Sequence, residues 1–338
     1  MNMDQIRRPA LGAAWIAALA LGFSSPALAG VNFTSGKVYM QQKVYDKACH
    51  FLEMARHEEP ENTQVYSLLG VARYQMREFA SSGAVFSMGI KVATDKKEKD
   101  KLQDMVQNRG SLNAELYNIG VKALARAGQI EEFDNRTTDA GTPQAALEKE
   151  RGEPKDFGRF SEGGKTHEFW YYPEQNMGYT FSPGATEAIP FQYKPFRGPV
   201  DPAVAVTDTT VFPPFQGASV VAEAAYQFEL AMMVDPSMSD VYKNLSYVYG
   251  VLGRPDDAIH AAQLGLKLKP GDLQLTRNLR AAALGRGNRL FNGKKFMEAA
   301  PAYRAAMAYD SAGTVTYLSR IAESYQLAHA STEAACLG

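Results

Sequence analysis

Chemistry in this chain could reside in its five histidines, in one glycine-flanked basic stretch, and in several carboxylate pairs. His50 and His57 lie two turns apart along one helix, but no Cys or third ligand joins them at zinc-binding spacing. His167, His260 and His329 are scattered. The run GNRLFNGKK from Gly287 to Lys295 looks like a phosphate loop, yet it has five residues between its glycines instead of four. It also carries Lys where such a loop needs Ser or Thr, and no strand precedes it. The pairs Glu58-Glu59, Glu131-Glu132 and Asp256-Asp257 are accounted for by helix ends, turns and solvation. Asp201, Asp208 and Tyr193 are the remaining acid–base candidates, and nothing in their spacing unites them. With no serine elbow and no dinucleotide fingerprint either, the chain is expected not to be an enzyme and to carry no cofactor and no metal.

Stepping out to the whole sequence, 338 residues of which 45% are hydrophobic and 22% charged suit a well-buried fold. A net charge of -1 supplies no general attraction for nucleic acid. The first 29 residues have the layout of a secretion signal: Arg7 and Arg8, an apolar run from Ala10 to Phe23, a Ser24-Ser25-Pro26 break, and Ala27-Leu28-Ala29. Cleavage is expected between Ala29 and Gly30, leaving a mature chain without a transmembrane segment, periplasmic or secreted. Cys49 and Cys336 are the only cysteines, near the two ends of the chain. Cys49 reads as a small buried side chain and Cys336 as a free or intermolecular thiol.

The positioning elements are a repeated helical hairpin, clearest in residues 239–272. Tyr242, Leu245, Tyr249, Ala258, Leu266 and Pro270 alternate large and small residues along two amphipathic helices that meet at Gly253-Arg254-Pro255. Gly36, Tyr39, Tyr45, Ala48, Ala55 and Pro60 keep the same spacing in 31–62. So do Tyr66, Leu69, Gly70, Tyr74, Phe79, Phe86 and Gly89 in 63–96, with Ser82 in place of the usual Ala. A third unit is split: its first helix covers 113–129, and its second returns some 85 residues later with Ala224, Phe228, Ala231 and Pro236 in register. A fifth covers 280–313, and a last helix with Tyr317, Ile321, Ala322 and Tyr325 closes the array. One hairpin cannot bury its own apolar face, so such units must stack. The pattern resembles the tetratricopeptide repeat (TPR), which implies an all-α solenoid of about five hairpins. In that family's geometry the first helix of each hairpin lines a partner groove. Carried onto this chain, those positions are Ser67, Tyr74, Gln75, Tyr117, Lys243, Tyr247, Asn288, Phe291 and Asn292. Tyr, Asn and one Lys suit an extended peptide or an amphipathic helix.

The interruption at 131–216 holds 10 of the 17 prolines and one of the two tryptophans. Thr142-Pro143 opens a short helix that ends before Gly152. Strands are expected at 156–161, 165–172 and 178–182, turning at Gly163-Gly164 and Pro173–Asn176. That makes a small α+β module, a helix plus a three-stranded antiparallel meander. The Pro-rich remainder, 183–214, reads as an extended strap. Alternation places Trp170 and Tyr172 on one face and Phe169 and Tyr171 on the other, as an insertion surface toward the hairpins or a partner. Gly152-Glu153-Pro154, Glu168, Trp170-Tyr171-Tyr172 and Phe181 resemble GWxTD-type modules of secreted bacterial proteins, and more distantly small lipoproteins of outer-membrane β-barrel assembly, although the signature tetrad is absent. The resemblances imply a non-enzymatic scaffold for protein partners of the cell envelope, or, alternatively, a module that docks to an envelope polymer or assembly component. Tyr226, Phe228, Tyr242 and Tyr249 are expected to form the hinge between hairpins and module.

Overall fold

A computed structural model describes residues 30–310 and 313–337. The expected secretion signal at 1–29 lies outside them, as does the side chain of Cys336. Among the described residues the protein is all-α apart from one small antiparallel sheet. The described residues fall into two compact units, 30–106 with 206–211, and 107–205 with 212–310 and 313–337.

The first unit begins with α1 (Val31–Gln41), α2 (Tyr45–Glu58), α3 (Thr63–Gln75) and α4 (Phe79–Asp95), each packed on the next. Glycine lets paired helices approach. A Cβ on Gly36 would meet the Leu52 side chain at 2.6 Å, and one on Gly70 would meet Phe86 at 2.7 Å. Ser82 fits its small-residue position and donates its hydroxyl to Gly70 O (2.7 Å). Cys49 is a free thiol whose pKa burial pushes up to about 12, against the nearby positive charge of Arg73.

The helix α5 (Lys99–Ala127) absorbs the charged run after Lys96 and the first helix of the split hairpin. The boundary between the units falls inside it. The re-entering helix is α8 (Val220–Val234), which follows the short helices α6 (Pro143–Arg151) and α7 (Pro202–Ala205) of the insertion. Across 118 residues of sequence, Asn113 Nδ2 donates to Ala231 O at 2.6 Å, while Gly120 lies against Phe228 and Arg109 against Asp235 at 3.2 Å. The hairpin α9 (Ser239–Val251) and α10 (Pro255–Leu268) follows, then α11 (Leu273–Asn292), α12 (Phe296–Met307) and the closing α13 (Thr314–Leu337). Repeat identity extends to single bonds. Tyr66 OH donates to Pro60 O (2.7 Å) in one unit and Tyr242 OH to Pro236 O (2.8 Å) in the other.

The sheet has five strands rather than three, in the order β1 (Glu131–Glu132), β2 (Asp156–Glu162), β3 (Lys165–Tyr172), β4 (Met177–Phe181), β5 (Ile189–Gln192). The two additional strands are the edges. One is two acidic residues long and the other contains Pro190, so neither carries an alternating pattern. One face buries Trp170, Tyr172, Tyr179 and Phe181 beneath Leu147 of α6. Glu168 explains the Glu-x-Trp spacing. Its carboxylate accepts from Trp170 Nε1 (2.6 Å), from Thr137 N (3.0 Å) and from Gln144 Nε2 (3.4 Å), so the motif locks the module internally.

Candidate functional site

In the first unit, Gln75 is exposed, Ser67 is half-buried, and Tyr74 is buried with its ring edge-on to Phe79 at 5.2 Å. Tyr74 therefore belongs to its own hairpin.

In the second unit the sequence-derived groove set separates into two groups. Tyr117 of α5 and Lys243 and Tyr247 of α9 come together. Asn244 Nδ2 donates to Tyr117 OH at 3.1 Å, and Tyr117 leans on Phe228 with ring centroids 5.6 Å apart. Lys243 is half-buried and paired with Asp240, which raises its pKa chiefly through that bond. Tyr247 keeps 41% of its surface exposed. Desolvation, and then the negative charge of Glu132 on β1, raise its phenol pKa. The edge of the inserted sheet thus lies within electrostatic reach of this face. The other group sits on α11. Phe291 faces Phe296 and Tyr303 at 5.3 and 6.4 Å, and Asn288 Oδ1 accepts from Tyr303 OH at 2.9 Å. Both contact the second helix of their own hairpin, while Asn288 stays exposed and Phe291 is half-buried. Asn292 is exposed at the helix end.

Of the two directions expected for the Phe169 and Tyr171 face, the hairpins or a partner, the structure has the hairpins. Phe169 and Tyr171 are 7% and 2% exposed. Phe169 stacks on Phe160 at 5.9 Å, and Tyr171 OH donates to Leu252 O at 2.8 Å, so this face of the sheet is closed by the α9–α10 hairpin. The junction is a backbone contact. A Cβ on Gly158 would fall 2.2 Å from Leu252 O, and one on Gly253 would fall 2.0 Å from Phe157 O. The expected aromatic hinge is instead packed core: Phe228, Tyr242 and Tyr249 are enclosed, and Tyr226 OH donates to Pro213 O at 2.5 Å.

Two polar clusters escaped sequence reasoning. Glu162 is buried at the end of β2 and accepts from Val220 N (2.8 Å) and Val221 N (3.0 Å), the free amides opening α8. His167 Nε2 lies 3.3 Å from the same carboxylate; burial lowers the histidine's pKa, with Glu162 opposing. The second cluster is at the α9–α10 turn. Arg254 Nε pairs with Asp257 Oδ2 at 2.6 Å, its guanidinium lies over Tyr249 and Tyr193 at 4.5 and 5.2 Å, and Tyr249 OH donates to Glu229 at 2.7 Å. Burial disfavours the charge of Arg254, but Tyr249, Asp257 and Glu229 outweigh it and hold the pKa above the ordinary value. The strap residues proposed as acid–base candidates are structural: Tyr193 OH donates to Asp257 (3.2 Å), while Asp201 and Asp208 accept from backbone amides two residues on (2.8 and 2.9 Å). Among the described residues no group of three or more His, Cys, Asp or Glu side chains is placed to hold a metal, and no helix is long and apolar enough to cross a membrane.

No family model matches this chain. No curated protein matches it either. Among solved structures it is similar to the MamA protein, with 12% identity over 84% of this chain and 92% of that one, at a TM-score of 0.21. It is also similar to the TPR2AB domain of yeast Sti1 in complex with pHSP90, with 11% identity over 88% of this chain and 97% of that one, at a TM-score of 0.21. The TPR domain of P58(IPK) is a third, with 10% identity over 89% of this chain and 65% of that one, at a TM-score of 0.22.

Proposed function

We propose that this protein is a non-enzymatic TPR-type scaffold of the bacterial cell envelope, exported by its N-terminal segment, which holds a protein segment on the first-helix face of its second unit. The observation that carries the reading is the cluster of Tyr117, Lys243 and Tyr247. A large aromatic ring stands 41% exposed beside a cation and a fixed Asn244–Tyr117 pair. Amphipathic aromatics of this kind supply contact area at low entropic cost and anchor interfaces. The inserted module fits this reading as a support, since both faces of its sheet are covered within the protein.

The test places a photo-crosslinking amino acid at Tyr247 and, as a control, at exposed Gln263 on α10. One envelope protein should crosslink from position 247 and not from 263, and Lys243→Glu should reduce its yield about tenfold, an interfacial loss of roughly 1.4 kcal/mol. Identical crosslinks from both positions, unaffected by Lys243→Glu, would remove the basis for this face.

A further inference from the structure

The α9–α10 turn treats part of the strap as a bound peptide. Residues 193–198, which belong to no helix or strand, cross it, and the protein holds their main chain. Arg254 Nη2 donates to Lys194 O (2.9 Å), Asp257 Oδ1 accepts from Phe196 N (2.8 Å), and His260 Nδ1 donates to Phe196 O (3.1 Å). Side chains are read as well. Tyr193 and Phe196, each 9% exposed, are the anchors, with Phe196 set between Tyr249 and His260 at 5.4 Å from each ring. Gly198, at φ +75°, passes Leu264 where a Cβ would meet Cδ1 at 2.7 Å. The intervening Lys194, Pro195 and Arg197 are exposed. Asp257 is 3% exposed and is also bonded to Arg254 within the turn.

The first unit has one main-chain contact of this kind at the equivalent position of its second hairpin. Counting from the small residue of the repeat, Ser81 precedes Ser82 as Asp257 precedes Ala258. Ser81, fully buried, donates to Val206 O at 2.9 Å, and Val206 is 7% exposed.

We propose that the outer face of the α9–α10 turn is a peptide-receptor site occupied in cis by residues 193–198, and that it exchanges this strap for an extended segment of another polypeptide carrying aromatic side chains at positions i and i+3. This surface is distinct from the first-helix face, so either reading can fail without the other. Recognition of main chain plus two anchors gives affinity through backbone bonds and selectivity through the pockets. The tethered strap competes at an effective concentration in the millimolar range, which sets a threshold for any incoming segment.

The test measures anisotropy of a labelled peptide, IPFQYKPFRGPV (residues 189–200), added to the full chain. A Tyr193→Ala/Phe196→Ala variant, with its own strap disabled, should bind at least tenfold tighter than the wild type, and adding Asp257→Asn should abolish binding. If the variant keeps its helical circular dichroism and binds no tighter, or if a peptide with Ala at both aromatic positions binds equally, the proposal is overturned. If the variant does not fold, hydrogen exchange on the wild-type chain decides. The Phe196 amide should exchange faster under saturating peptide, and an unchanged rate overturns the proposal.

Discussion

Single charged residues at the module junction set how stability responds to pH. Asp156 opens β2, where burial and then the negative charge of Asp256 push its carboxyl up to about 6, while Arg289, Arg286 and Lys155 pull the other way. Glu132 on β1 is also raised by desolvation, with Arg289 opposing. Arg289 has its own charge disfavoured by burial, and its guanidinium covers the Phe157 ring at 5.0 Å. Between the unfolded value of 3.8 and about 6, the native protein binds more protons at Asp156 than the unfolded chain does. Stability therefore falls as pH rises through that window, and the loss persists above it. The size is on the order of 2–3 kcal/mol. Asp156→Asn should flatten this part of the profile, seen as urea midpoints that differ less between pH 4 and pH 7 than in the wild type. An unchanged difference would mean that the carboxylate is solvated.

Among the elements, one turn explains why the module sits where it does. The hairpin turns pass through a left-handed residue at the same place: Lys43, Arg77 and Lys294 adopt φ near +60°. In the fourth hairpin that residue is Gly253 at φ +75°. A basic side chain serves where the turn faces solvent, because a single left-handed residue costs only about 1–2 kcal/mol. Glycine is needed where Phe157–Gly158 of β2 lies on the turn, because backbone atoms cannot yield. Gly158→Ala should therefore separate the sheet from the hairpin, with a cost of about 2–3 kcal/mol. Hydrogen exchange would show lost protection in β2 and around Leu252, whereas Gly163→Ala, with open space around its Cβ position, should leave Leu252 protected. The unusual glycine was readable in the sequence as a departure from the other turns; Gly158 was not, because nothing local marks a strand glycine as a contact point.

For the molecule as a whole, an insertion in a hairpin turn should be removable at little entropic cost. The contacts contradict that simple view. Without residues 131–216, the opening amides of α8 lose Glu162, Arg254 and Asp257 lose the strap, and Ser81 in the first unit loses Val206. Each buried polar group left without a partner costs about 1–3 kcal/mol. Deletion should lower Tm by roughly 10 °C and increase binding of a hydrophobic dye. A deletion chain that melts as the wild type does would show that the hairpins stand alone. The insertion is an integral part of the fold on this reading, although its composition marks it as foreign to the repeats.

The sequence alone determined the hairpins and their register, including the split third unit, because each repeat is specified by contacts within one hairpin. Gly70 against Phe86 and Gly120 against Phe228 obey the same local rule, whether 16 or 108 residues separate them. It also identified the module's helix and its three inner strands, which carry Thr142-Pro143 and alternating aromatics. Tertiary structure alone decided which side of each candidate residue faces out. It buried Tyr74, Phe169 and Tyr171, bonded the exposed Asn288 to Tyr303 of its own hairpin, and left Tyr247 exposed. It also decided that Asp257, which reads as an ordinary first-turn acid, grips the main chain of Phe196 some 61 residues away. Periodicity encodes the face a helix buries against its neighbour in sequence. It carries no information about a distant extended segment, whose backbone atoms are the same whatever its residues.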